Sequence, residues 1–166
     1  MELWIKQSEE VEQMERELNI TRAGVEDISE LYALQLLAFE SEAEMIGSRD
    51  VPALQESREA HREDFVNWIT LKLTSRDDEI LGAVRYRPQG GLIEVGRLMT
   101  HPDYRRQGIA QRLMAEVDKA HPRETKELYT CTKSWINIRL YEKIGYRAVK
   151  EVTEDSGLSF VYMRKT

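Results

Sequence analysis

Residues 102 to 114, PDYRRQGIAQRLM, bring two arginines, a lone glycine and a small residue to the front of an apolar helical stripe. Helix starts ordinarily take Ser, Thr, Asp or Asn as a cap. A cationic start with Gly108 instead leaves the first backbone N–H groups open to an anion, which the positive end of the helix dipole also favours. Arg105 and Arg106 add charge, and Gly108 lets a phosphate approach the backbone without a side chain in the way. The same residues also fit a solvated basic turn with a convenient glycine, so the stretch alone leaves both readings open. Other phosphate motifs fit less well. GLIEVGRL (91 to 98) has the glycine spacing of a Walker A loop, but Arg97 and Leu98 stand where that chemistry needs Lys and Ser/Thr. No G-x-G-x-x-G occurs, which leaves a dinucleotide site unsupported.

The elements that must hold this turn follow from hydropathy patterning. Residues 7 to 17 read as a short polar helix, and LNITRAG (18 to 24) alternates as a strand. From Val25 a helix is expected, with Ile28, Leu31, Leu34 and Ala38 at spacings of three and four. The acidic stretch from 40 to 65 reads as helix, loop and second helix, with Pro52 near a helix start. ITLKLTS (69 to 75), EILGAVRYR (79 to 87) and GLIEVGRLMT (91 to 100) are separated by turns at RDD and PQG and predict an antiparallel meander. The helix begun at the glycine turn has Ile109, Leu113, Val117 and Ala120 as its buried stripe and stops before Pro122. ELYTCTK (127 to 133) reads as a strand, SWINIRLYEKIG (134 to 145) as a helix ended by Gly145, and YRAVKEVTE and LSFVYMRKT as two closing strands around DSG. The strand–helix–strand run over 91 to 133 implies a right-handed parallel crossover. The class is α/β or α+β with a mixed sheet.

At 166 residues the chain suits one domain with a real core. A net charge of −6 argues against a general nucleic-acid binder, which would carry a basic face. Cys131 is the only cysteine, which excludes an internal disulfide and a cysteine-based zinc cluster. It lies on a predicted strand and reads as buried, not nucleophilic. MELWIKQSEEVEQMEREL is too acidic and too broken for a signal peptide or a membrane span, so cytoplasmic residence without a membrane partner is expected. His61, His101 and His121 are scattered without triad or metal spacing and read as surface or turn residues, so no metal is expected. Trp4, Trp68 and Trp135 fall on different elements and read as packing residues. The acidic run through Glu40, Glu42 and Glu44 reads as a solvated helix face.

Two separated motifs point the same way. LMTHPDYRRQGIA resembles the acyl-CoA signature of the GNAT (general-control-related N-acetyltransferase) superfamily, an apolar strand followed by R/Q-x-x-G-x-G/A, with Arg105, Gly108 and Ala110 in the defining positions. NIRLYEKIGY (137 to 146) resembles the second signature, L-Y-x-K-x-G-F/Y, with Leu140, Tyr141, Lys143, Gly145 and Tyr146 in register. ITRAGVEDISEL resembles the family's first strand and helix, so the likeness runs from 18 to 166. It implies a GNAT-like mixed, mostly antiparallel central sheet flanked by helices, with strands 91 to 100 and 127 to 133 parting at a bulge. Residues 1 to 17 would be a helical N-terminal extension and 18 to 166 a single acetyltransferase domain. Acetyl-CoA would be the acyl donor. Its pantetheine arm would pair with the backbone of Leu98, Met99 and Thr100 much as an added strand does. Its pyrophosphate would sit on amides of Arg105, Arg106, Gln107, Gly108, Ile109 and Ala110. Many relatives place Asn seven residues before the Tyr; Ser134 stands there in this chain, and Asn137, on the face of Tyr141, is the substitute for a pantetheine contact.

The resemblance also implies the chemistry, transfer of an acetyl group to a primary amine by direct attack in a ternary complex. An alkylammonium with pKa near 10.4 is neutral only about one part in a few thousand at pH 7, a penalty of roughly 4–5 kcal/mol, so a base or a water relay must take its proton. Glu94, on the central strand where some relatives carry a carboxylate, is the candidate base. Tyr141 is the candidate acid for the departing thiolate. Relatives build the acceptor site from their first two helices and last strand pair, which offers Glu40, Glu42 and Glu44 a second reading as the lining of an amine mouth. The acceptor would be a small-molecule or protein amine, and a homodimer also follows from the relatives. The alternative is a catalytically idle acyl-CoA-binding or regulatory module with the same fold. A generic phosphate-binding domain would show no preference for CoA over ATP.

Overall fold

Runs of alternating apolar residues and stripes at three-to-four spacing sort the chain into strands and helices. The computed structural model describes the backbone of residues 2–166 and the side chains of residues 3–10 and 17–166. In chain order the elements are α1 (Glu2–Glu17), β1 (Asn19–Arg22), α2 (Ile28–Ile46), α3 (Pro52–Gln55), α4 (Arg58–Asp64), β2 (Ile69–Thr74), β3 (Ile80–Gln89), β4 (Leu92–Thr100), α5 (Ile109–Ala120), β5 (Lys126–Cys131), α6 (Trp135–Lys143), β6 (Arg147–Thr153) and β7 (Ser159–Lys165). The sheet order is β1-β2-β3-β4-β5-β7-β6, and every neighbouring pair is antiparallel except β4–β5, the two ends of the crossover through α5. This is the mixed, mostly antiparallel sheet with flanking helices that the sequence leads one to expect.

The central pair shapes the molecule. Registered β4–β5 pairing consists of Ile93 with Lys126 and Glu94 with Glu127. Beyond it β4 continues to Thr100 along β3, while β5 continues to Cys131 along β7, so the two strands part. The parting coincides with a bulge. Ala83 faces Met99 and Arg85 faces Gly96, which leaves Arg97 and Leu98 opposite Val84 alone. Arg97 takes φ +48 there, a left-handed angle that a non-glycine residue adopts at a cost.

Opposite faces of the sheet are covered by different helices. Gly82 lies against Ile109 and Leu113 of α5, whereas its neighbour Ala83 clusters with Leu31 and Leu34 of α2 and with Met99. Successive strand residues point to opposite faces, so α5 and α2 sandwich β3 and β4. Ile109, Leu113, Met114 and Val117 form the buried side of α5; Ala120 is exposed, and Met114 does the work expected of it. Four further expectations need correction. The first helix begins at Glu2, not near residue 7. His61 is buried, its ring 5.3 Å from that of Tyr32. Trp4 and Trp135 are exposed, and only Trp68 of the three tryptophans packs inside. The turn expected at PQG falls one step later, at Gly90 and Gly91, because both central residues need positive φ (58 and 81). Among the described residues no helix is long and apolar enough to cross a membrane.

Candidate functional site

The start of α5 has the backbone form of an anion cradle. Gly108 is the N-cap residue at φ 77, with no side-chain cap, and Arg106 is also left-handed at φ 63. Left-handed residues in a turn ahead of a helix are the ingredients of a main-chain anion concavity. A Cβ on Gly108 would meet nothing within 4 Å, so the glycine serves the backbone angle and leaves the approach open. Arg105, Arg106, Gln107 and Gly108 are exposed, Ala110 is half-buried, and Ile109 anchors the turn in the core. An open cleft runs beside Gln107, Gly108, Gln111, Arg112 and Ala115. Leu98, Met99 and Thr100 lie beyond the last registered β4–β5 pair, so the β5 side of this segment borders the gap between the strands.

A second cavity, of about 110 Å³, occupies the splay and is lined among others by Glu42, Glu94, Arg97, Leu98, Asn137 and Tyr141. Three elements distant in sequence, α2, β4 and α6, bring these side chains together. Tyr141 is 8% exposed. Burial, reinforced by the Glu42 charge, holds its phenol far above the ordinary tyrosine range, so it stays protonated at physiological pH. Ser134, fully buried at the start of α6, donates from Oγ to Glu42 Oε1 at 2.8 Å. Asn137 Nδ2 donates to Ser134 Oγ at 3.0 Å and to the same Glu42 oxygen at 3.4 Å. Burial pushes the Glu42 carboxyl up, against the opposing pull of these two hydrogen bonds and of the Arg97 charge. Glu94 accepts from Arg87 Nε at 3.0 Å, and the Arg87 guanidinium lies 4.0 Å over the Trp68 ring.

The predicted residues thus fall into two groups, the open turn and the splay, joined by β4. The solvated-face reading of the acidic run is corrected for Glu42. Glu44 is exposed and Glu40 pairs with Arg49, but Glu42 enters the cavity, as the amine-mouth reading allows. The signal was present in the spacing: Ala38, Glu42 and Ile46 continue the inward stripe of α2 at intervals of four. Arg85, Arg97 and Ser134 were not singled out for this cavity, because their places depend on the bulge and on tertiary pairing. Among the described residues no group of three His, Cys, Asp or Glu is placed to hold a metal ion.

Comparisons with known proteins bear on this geometry. Residues 34–166 match the family described as "Acetyltransferase (GNAT) domain". The UPF0157 protein YqkA of Bacillus subtilis (strain 168) is 29% identical over 133 residues, which is 78% of this chain and 37% of that protein. The chain therefore spans little more than a third of that relative's length. Among solved structures, the PaiA N-acetyltransferase of Thermoplasma acidophilum in complex with coenzyme A superposes with a TM-score of 0.72 at 18% identity, over 90% of this chain and 98% of that one. The ribosomal-protein-S18-alanine N-acetyltransferase of Escherichia coli gives 0.68 at 17%, over 89% and 92%. At these identities the likeness is one of fold.

Proposed function

The chain belongs to the GNAT acetyltransferase family, and on that premise we propose that it is an acetyl-CoA-dependent N-acetyltransferase acting on a primary amine by direct attack in a ternary complex. The observation that carries this reading is the meeting of a buried, protonated Tyr141 and a desolvated Glu42 in one cavity between splayed strands. Residues 18–166 form the catalytic domain and residues 1–17 a helical extension of it.

When bound, acetyl-CoA supplies an activated acetyl group. The residues fit it: the left-handed, uncapped turn from Arg105 to Ala110 suits a diphosphate, and the strand edge at Leu98, Met99 and Thr100 suits a pantetheine arm. Asn137 is engaged with Glu42 and Ser134, so it shapes the cavity wall as well as offering a contact to the arm. Tyr141 donates its phenolic proton to the leaving sulfur. Two carboxylates line the cavity as acceptors for the amine proton. Glu94 is tied to Arg87, whereas Glu42 has its pKa raised toward the range where a base works best near neutral pH. That difference favours Glu42, with Glu94 as the second candidate.

Purified protein incubated with acetyl-CoA and a panel of amines tests the reading by release of free thiol. Amine-dependent release supports it. Tight acetyl-CoA binding with no turnover on any acceptor makes the chain an idle acyl-CoA-binding module instead, and equal binding of ATP and CoA makes it a generic phosphate-binding domain.

A further inference from the structure

Two largely buried arginines in the cavity wall are unexplained by acetyl transfer itself. Arg85 of β3 and Arg97 of β4 both line the splay, with side chains only 14% and 15% exposed. They lie close enough for Arg97 to help burial pull the Arg85 guanidinium down to about 10. Two adjacent, largely desolvated cations are costly unless anions and hydrogen bonds satisfy them. The compensation present is incomplete. Arg85 Nη1 donates to Asp64 Oδ2 at 3.2 Å and its guanidinium lies 4.1 Å over the Trp68 ring. Glu56 Oε2 is 3.9 Å from Arg97 Nη2, beyond hydrogen-bond distance, and Glu56 Oε1 accepts from Gln35. The Nε atoms of both arginines are buried without a hydrogen-bond partner among the described residues. Arg97 is also held at φ +48, a strained angle that the bulge imposes at this one position of β4.

From this arrangement we infer that the acceptor amine carries a carboxylate, bound by Arg97 with Arg85 beside it, while its amino group lies toward Glu42 and Tyr141 in the same cavity. The planar guanidinium fork matches a carboxylate in two-point contact, and a cavity of about 110 Å³ suits an amino-acid head group. Glu42 and Glu94 supply negative charge for the ammonium of the same molecule, so the wall is complementary to a zwitterion. The inference rests on the acetyltransferase reading and narrows its substrate class to free amino acids.

The test uses the standard amino acids, β-alanine and γ-aminobutyrate, each against its own carboxamide, with the intact chain in the presence of acetyl-CoA. Both kcat/KM and equilibrium binding beside CoA are measured. Charge-assisted contacts of this kind predict a preference for the carboxylate of about tenfold to a hundredfold. The amides have the less basic amines, so an indiscriminate site would favour them. Arg97→Gly removes the guanidinium and suits the left-handed angle, so it keeps the fold and should abolish the preference while CoA affinity stays unchanged. Arg97→Lys, which keeps charge without the fork, should restore part of it. Amides used or bound as well as carboxylates by the wild type would overturn the inference and leave the acetyltransferase reading intact. Arg97-dependent carboxylate binding without any turnover would do the reverse. An absence of carboxylate binding also overturns it.

Discussion

Ser134 Oγ donates to Glu42 Oε1 at 2.8 Å across 92 residues of sequence, and it does so from a fully buried position. The bond lowers the Glu42 pKa, opposing the larger upward push of burial. If Glu42 is the base, the acid limb of the kcat/KM profile reports its ionisation. Ser134→Ala should then move that limb to higher pH, because the charged form loses a donor. Glu42→Gln should remove the limb together with most of the activity. Glu94→Gln should leave the limb in place; the opposite pattern would transfer the base role to Glu94.

The same carboxyl links stability to pH. Its folded-state pKa is raised above 4.5, so folding favours the protonated form, and that contribution is fully present below the unfolded pKa and lost as pH rises through the folded one. Glutamine mimics the neutral form at every pH. The melting temperature of Glu42→Gln should therefore exceed that of the wild type at neutral pH, and the gap should shrink below pH 4.5. A variant that melts below the wild type at neutral pH, with the deficit closing on acidification, would mean that Glu42 is stabilised as an ion.

Tyr141→Phe deletes the phenolic oxygen and keeps the ring that packs 6.0 Å from Tyr146. Loss of a general acid costs on the order of a hundredfold in rate. Steady-state kinetics should show that fall in kcat, with CoA affinity by calorimetry nearly intact. An unchanged kcat would remove Tyr141 from the acid role.

Much of this architecture was legible in the chain. The 3.6-residue stripe of α5 and the two-residue alternation of β2 to β4 are local properties, and the structure places those elements where the patterning puts them. The turn at Gly108 was legible because its missing cap is itself a signal. The cavity wall was legible only in part. Glu42 sits on the inward spacing of α2, where Ala38, Glu42 and Ile46 recur at intervals of four, but Arg97 looks like a failed Walker residue until the bulge brings it to the cavity wall. His61 was misplaced for the same reason, since its burial comes from packing of α4 on Tyr32, which no periodicity in a seven-residue helix reveals.

Gly108→Ala isolates the backbone contribution to the cradle. The new Cβ meets nothing within 4 Å, so the cost is that of holding alanine at φ 77, about 1–2 kcal/mol. For a chain of this size that is a fall of roughly 2–8 °C in melting temperature. CoA titration should show weaker binding as the turn relaxes, and Gly108→Asn, which tolerates the left-handed region better, should lie between. Equal CoA binding by all three would dissociate the turn from the diphosphate.

Gly82 sets how closely α5 approaches the sheet, and through it where the cradle sits. A Cβ there would come within 2.6 Å of Ile109 Cγ2, 3.0 Å of the Met99 carbonyl and 3.2 Å of Leu113 Cδ1. The carbonyl belongs to the bulged strand and cannot easily yield, so Gly82→Ala must push the first turn of α5 outward. Overpacking of this kind costs about 1–3 kcal/mol. Ile109 directly follows Gly108, so the displacement reaches the anion turn, and CoA affinity should fall along with thermal stability. Adding Ile109→Leu deletes the branching methyl nearest the new Cβ and should recover part of both losses. Recovery of stability without recovery of CoA binding would show that the position of α5 does not govern the cradle.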